Sequence, residues 1–269
     1  MRLSEKQFTN FKIHTQYSIC EGAVKIDDLA VFCKENKTKA LGICDSLNLC
    51  GALEFAEKIS KSGTQPLIGT QINFFCSNTI AKLAIFATTA KGYKNLTTLS
   101  SKSYLDVNAN TVPHCKLEDL ILYNQDLIVL TGGVNDLFGL LFKNNKIKHL
   151  NEVTENLSKT FKDRFYIEIQ RHNEKDEKNL ENYLLSLSLK FNLPLIASQE
   201  VFYLSDDMAE AHDALTCIKE KNYIDDENRK KYNNQHFFKN SQNLIDLYKD
   251  IPEALENNFN FPLRFNFKP

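Results

Sequence analysis

Apolar residues along this chain come in short, nearly continuous runs separated by longer stretches with helical spacing. Seven runs, at 11–14, 40–44, 67–75 (broken by Gly69), 83–87, 127–131, 165–169 and 195–198, read as β-strands. Near-continuous hydrophobicity suits strands covered on both faces, as in a parallel sheet. Between the runs, 25–36 carries Ile26, Leu29, Ala30 and Cys33 on one stripe, with Asp27 and Asp28 near its start, where the helix dipole favours them. Helices are also predicted over 52–62, closed by Gly63, and over 93–102, 134–142, 150–160, 177–191, 207–217, 241–248 and 252–258. The alternation argues for βα units. Seven strands are too many for a small flavodoxin-like sheet, so the expected α/β fold is a seven-stranded, distorted (β/α)7 TIM-like barrel.

Three stretches depart from this rhythm. The segment 102–126, with Pro113, reads as an excursion carrying a short helix at 117–122. The segment 219–237, where Asp225-Asp226-Glu227 precedes Arg229-Lys230-Lys231, reads as an exposed polar loop. At the end, Phe259, Phe261, Phe265 and Phe267 alternate around Pro262 in a strand-like aromatic run suited to packing on a neighbouring module. The expected organisation is one domain over 1–258, with 259–269 opening a linker in a longer polypeptide.

Composition narrows the function classes. A formal net charge of −1 supplies no global attraction to nucleic acid or to an anionic membrane. Seven cysteines stand singly, without a C-x-x-C pair, as in a reduced cytoplasmic protein. No apolar run approaches membrane-spanning length.

In barrels of parallel strands, chemistry gathers where the strand C-termini converge. Those positions hold Lys12 and His14, Asp45 and Ser46, Gln71, Gly132 and Gly133, His172, and then Glu200 and Phe202; Lys82 begins the fourth run. His14, Asp45, His172 and Glu200 are metal-ligand or acid/base types. The residues interleaved with them do not make a metal shell.

The segments FKIHTQYSICEG, ALGICDSLNLCG, IGTQINF, GYKNL, LIVLTGG, YIEIQRHN, LIASQEVFYL, MAEAHDAL and PEALENN follow one another in order. Together they resemble the PHP (polymerase and histidinol phosphatase) domain that opens the α subunit of bacterial replicative DNA polymerase III. The resemblance runs from about residue 8 to 258, so 1–258 is expected to be the PHP domain. In metal-binding members, ligands from the strand ends hold a small ion cluster. Position by position, the resemblance implies that Lys12 replaces the first His of H-x-H, while His14 keeps the second. Asp45 keeps the acid of T-D-H and Ser46 loses its His; Gln71 replaces a Glu, Lys82 a His and Gly133 a Cys. His172 is kept, Glu200 lengthens an Asp, and Phe202 replaces a final His.

Four surviving ligand types on four strand ends can hold one ion at best, and zinc needs four tight ligands. The expectation is a vestigial pocket of His14, Asp45, His172 and Glu200 with no metal and no catalytic residue. Lys12 and Lys82 would replace the metal's charge, with Asp45 and Glu200 as their partners. Plainer roles exist beside these: His14 and His172 as hydrogen-bonded strand-end residues, Asp45 as a turn or helix cap, His212 as packing. The glycines at 132–133 lack phosphate-loop spacing.

The resemblance further implies a part of a DNA-directed DNA polymerase, with no cofactor in this domain and Mg2+ in the polymerase modules outside it. Implied partners are the rest of the α chain, a proofreading exonuclease subunit and other replisome subunits. DNA would be met through the whole polymerase, and no membrane is involved. An active metal-dependent phosphoesterase or 3′–5′ exonuclease is the alternative, and a free-standing adaptor a third reading.

Overall fold

A computed structural model of the protein describes residues 6–226, 228–229 and 231–269. A two-residue strand β1 (Lys12–Ile13) leads to α1 (Ile26–Asn36), β2 (Ala40–Ser46) and α2 (Ala52–Lys61). A long hairpin follows, β3 (Gln65–Cys76) and β4 (Thr79–Ala87), then α3 (Ala90–Leu105), β5 (Cys115–Lys116) and α4 (Leu117–Leu122). Next come β6 (Leu127–Leu130), α5 (Leu137–Lys143), α6 (Ile147–Phe161), β7 (Phe165–Ile169), α7 (Glu177–Phe191), β8 (Leu195–Ala197) and β9 (Glu200–Val201). The chain finishes with α8 (Ala209–Glu220), α9 (Ser241–Tyr248), α10 (Pro252–Asn260) and a 3-10 turn at Phe261–Arg264.

The larger sheet has the order β2-β3-β4-β6-β7-β8, with β5 paired to β3, and it curls with its helices outside. The sheet is mixed, which corrects the all-parallel (β/α)7 expectation. Strand β4 runs antiparallel to both β3 and β6. The cause is local: Ser77 (φ 49°) and Asn78 (φ 56°) form a two-residue turn with both central residues left-handed, and such a turn joins only antiparallel strands. Strand β1 pairs not with this sheet but with β9, in parallel.

The curl is drawn together between the two chain ends. The Gly42 N–H donates to the Asn10 carbonyl at 2.9 Å, bringing the first segment beside β2. Only glycine permits this, because a Cβ there would lie 2.5 Å from Phe11 Cα. On the other side, buried Asn258 of α10 accepts from Thr9 N (2.8 Å) and donates to the carbonyls of Thr9 and Ala197 (both 3.0 Å). One side chain thus joins the first segment to β8.

Strand alternation sorts the core. On β6 and β7, Leu127, Val129, Phe165, Ile167 and Ile169 face the helices. Ile128, Leu130 and Tyr166 instead join Phe11, Phe86 and Ile196 inside the curl. The aromatic tail is not strand-like: Phe261 and Phe265 are buried in that inner cluster. Gln65 Nε2 holds the turn through the Pro262 and Phe265 carbonyls at 3.0 and 3.1 Å. The described residues of 219–237 are mostly exposed, as expected, but two of them turn inward. Arg229 is buried and forks onto Asp213, and His236 is buried against the strand ends. Their polar groups are met by partners, Asp213 for Arg229 and the Glu200 carbonyl and Glu174 near His236.

Candidate functional site

The centre of the strand-end cluster is an ammonium group. Lys12 is fully buried, and its Nζ lies 3.1 Å from Asp136 Oδ2 and 3.5 Å from both Glu168 Oε1 and Glu200 Oε1. Register explains one contact: the β1–β9 pairing sets Lys12 directly opposite Glu200. Alternation explains another, since Glu168 is the inward residue that follows Tyr166 on β7. The third depends on the glycine pair. Gly132 has φ +83°, and a Cβ there would sit 2.4 Å from Asp136 Oδ2. Gly133 donates its N–H to that oxygen at 2.9 Å. The glycines therefore seat Asp136 rather than cradle a phosphate.

Burial alone would lower the Lys12 value, but Asp136, Glu168 and Glu200 outweigh it and hold the ammonium well above an ordinary lysine. Burial likewise opposes a charged Glu200, yet Lys12 and His14 keep that carboxylate well below its usual range. Asp136 moves the other way: burial, with Glu200 and Glu168 beside it, outweighs Lys12 and raises its value. Asp136 and Glu200 therefore do not ionise alike: Asp136 is pushed toward its neutral form and Glu200 is held charged.

Around this centre the other predicted residues fall into two groups. Glu200 Oε1 accepts from Gln71 Nε2 at 2.7 Å and lies 3.1 Å from His14 Nε2. His14 Nδ1 is 3.3 Å from Ser18 Oγ and 3.4 Å from Ser46 Oγ, and its ring lies tilted against Phe202 at 4.6 Å. Lys82 donates to Ser46 Oγ (2.8 Å) and pairs with Glu21. His172 takes the Glu200 backbone N–H on Nε2 at 3.2 Å and stacks on His236 at 4.2 Å. Burial and His236 lower the His172 value well below an ordinary imidazole.

Asp45 stands apart. Its carboxylate accepts from Thr15 N (2.6 Å), Thr15 Oγ1 (2.8 Å) and Ser18 Oγ (2.6 Å), clamping the turn that follows β1. It partners neither lysine, which corrects the expected pairing, and it caps no helix, since α2 starts behind Gly51. Three hydroxyl and amide donors from the turn after β1 satisfy the acid in place of an ammonium.

Sequence reasoning missed Asp136, Glu168, Glu21 and His236. Glu168 carried a signal, as a lone acid inside the apolar run FYIEI. Asp136 carried none, because its role comes from a contact 124 residues away. Glu21 pairs with both Lys82 and Lys219, and these cations outweigh its burial and depress its value strongly.

The ion cluster implied by the resemblance does not fit these residues. His14 and Glu200 are engaged with each other, Asp45 is saturated by local donors, and an ammonium lies among the carboxylates. Among the described residues no group of three or more His, Cys, Asp and Glu is arranged to hold a metal. A cleft of about 160 Å³ opens over the centre, lined in part by Glu21, Gln71, Lys82, Asp136, Glu200 and Tyr232.

A curled α/β sheet with buried polar groups at its strand ends defines the class, and sequence comparison gives the family. The PHP domain model matches residues 10–172, and the chain belongs to that family. It is similar to DNA polymerase III subunit alpha of Caulobacter vibrioides, with 30% identity over 97% of this chain and 23% of the relative. The same subunit of Rickettsia bellii is 31% identical over 98% of this chain and 22% of the relative. That of Rickettsia conorii is 32% identical over 97% and 22%. The chain thus spans a little over a fifth of the length of these curated relatives. Among solved structures, an amidohydrolase from Chromobacterium violaceum aligns with a TM-score of 0.47 and 9% identity, over 72% of this chain and 87% of that one. No described helix is long and apolar enough to cross a membrane.

Proposed function

We propose that this chain is the PHP domain of a bacterial replicative DNA polymerase α subunit, serving DNA-directed DNA synthesis in the cytoplasm while being hydrolytically silent itself. The observation that carries the polymerase reading is similarity at about 30% identity along 97–98% of the chain to DNA polymerase III α subunits alone among the relatives named above. Silence is supported by the buried Lys12 ammonium, which repels a metal cluster and leaves no position for a metal-activated water. On this reading the pocket of His14, Asp45, His172 and Glu200 is vestigial, and Lys12, Ser46, Gln71, Lys82, Gly133 and Phe202 stand at former ligand positions. The domain braces the adjoining polymerase modules and docks the proofreading exonuclease. Nucleotidyl transfer and its Mg2+ belong to modules outside these residues.

Two measurements test this. The chain should release no nucleotide from a 3′-labelled primer and no phosphate from a phosphomonoester, with Mn2+ or Zn2+ present. It should also co-elute with the exonuclease subunit of its own replisome. Hydrolysis abolished by His14→Ala or Asp45→Ala would establish an active phosphoesterase or exonuclease instead. Failure to co-elute, with the fold intact, would remove the docking role.

A further inference from the structure

Away from the strand-end centre, a groove of about 170 Å³ lies between the first segment, the end of α1, the start of β2 and the residues leading into α9. Phe8, Phe32, Leu41 and Phe238 give it apolar walls, and the Phe32 and Phe238 rings meet edge to face at 4.8 Å. None of the described lining residues is charged. Asn10 lines it as well. That residue is only 4% exposed, yet its Oδ1 has no hydrogen-bond partner among the described residues. The Asn10 backbone carbonyl receives the Gly42 N–H at 2.9 Å, so the fold uses the main chain here and leaves the side-chain oxygen unmet. A buried acceptor without a donor is costly, and a group that completes it from outside recovers that cost. Ser241 also lines the groove. Its Oγ accepts the Phe8 N–H at 2.7 Å, which leaves the hydroxyl hydrogen to donate.

We propose that this groove binds an adenine ring and that the Asn10 amide reads it. Asparagine pairs with adenine through both ends of its amide, the oxygen accepting from N6–H and the nitrogen donating to N7. A half-turn about χ2 exchanges those ends, so either can be presented to the ring. The corner of Phe32 and Phe238 offers the flat apolar contact on which bases stack, and the Ser241 hydroxyl can donate to another ring nitrogen. Size and charge select this ligand. The groove holds one fused ring and falls short of the roughly 300–1,000 Å³ usual for drug-sized molecules. An uncharged lining gives a phosphate nothing to pair with, so recognition rests on the base. Guanine and hypoxanthine would set O6, an acceptor, where adenine offers its amino group. A free nucleoside and a base of single-stranded DNA share the chemistry required. The groove has no lining residue in common with the cleft over Lys12, so its test is independent of the hydrolysis and docking tests.

The experiment uses the intact chain as wild type and as Asn10→Leu, with adenosine, inosine and a short single-stranded oligodeoxyadenylate as probes. Binding is titrated by saturation-transfer NMR, and thermal unfolding is followed with and without each probe. Adenosine should bind wild type with a dissociation constant of about 1 mM or less, at least about tenfold more tightly than inosine, and should raise the melting temperature as its concentration rises. Asn10→Leu should keep its helical circular dichroism, since no hydrogen bond to the Asn10 oxygen is lost, and should lose at least about tenfold in adenosine affinity. Tighter binding of the oligodeoxyadenylate than of adenosine would name a DNA strand as the source of the base, and weaker binding a free nucleoside. If Asn10→Leu does not fold, the wild-type ranking of adenosine over inosine decides alone. The proposal is overturned if wild type binds neither adenosine nor the oligodeoxyadenylate, or if inosine binds as tightly as adenosine. It is also overturned if folded Asn10→Leu binds adenosine as wild type does.

Discussion

The two ends of the curled sheet are closed by opposite chemistries. Where the parallel strands begin, closure is aromatic: Phe261 packs on Phe11 at 4.5 Å and on Phe86 at 5.5 Å, with Tyr166 and Phe265 around them. Where they end, closure is ionic, with Lys12 held among Asp136, Glu168 and Glu200. Both ends bury their central groups, but only the first does so with groups that prefer to be dry. The second balances large desolvation costs against large attractions, and that balance holds only while every member is present. An apolar end tolerates change by degrees. The ionic end does not.

Removing the ammonium should give the largest effect. Lys12→Met leaves three buried carboxylates without their cation and is expected to cost about 5 kcal/mol of unfolding free energy, the upper part of the range for breaking a buried pair. The deficit should shrink as pH falls, because in the variant the carboxylates can take protons. Urea titrations of wild type and variant at neutral and acid pH would show this, and a pH-independent deficit would place the damage in packing instead.

At the aromatic end, Phe261→Ala should cost about 3–4 kcal/mol through lost burial and a residual cavity. That loss should be the same at every pH and salt concentration where the protein folds. A strong salt dependence would mean the two ends are coupled rather than separate.

Smaller still is the effect of mild acid on the unmodified protein. The folded His172 value lies well below the ordinary 6.5, since burial and His236 disfavour the cation. The unfolded chain therefore binds that proton first, so stability present above pH 6.5 is lost as pH falls toward the folded value. Glu200, depressed mainly by Lys12 against its burial, adds a further loss beneath its ordinary 4.5. Between about pH 7.5 and about pH 5.5, a loss of roughly 1–2 kcal/mol is expected from the histidine. His172→Phe, which keeps a ring on His236, should flatten that slope. An unchanged slope would assign it to another group.

Much of the scaffold was legible because its signals are local. Helices α7 (Glu177–Phe191) and α9 (Ser241–Tyr248) lie on the predicted bounds, each set by periodicity and its ends. The direction of β4 was not read, since a strand buried on both faces is equally apolar whichever way it runs. Its cue was the Ser77-Asn78 turn, which lies between the two runs read as separate strands, 67–75 and 83–87. Helix α5 was placed three residues early, at 134 rather than Leu137, and the stretch in between is what brings Asp136 to Lys12. At the site, the residue types at the strand ends were visible, but their partners were not. Asp45 found Thr15 and Ser18 on the turn after β1, 30 and 27 residues away, while Lys12 found acids from elements still farther along the chain. Hydrogen-bond partners are chosen by register and loop geometry, and neither is written in residue type.

The Asn258 bridge sets an order of events for assembly. Its contacts to Thr9 join positions 249 residues apart, so all the residues between them must be made before they can form. Until then the first strand has no neighbour on that side, and the interior phenylalanines are open to water or to a chaperone. Closing so long a loop costs entropy that nothing local offsets early. Among the described helices, α10 is therefore the one that completes the curl.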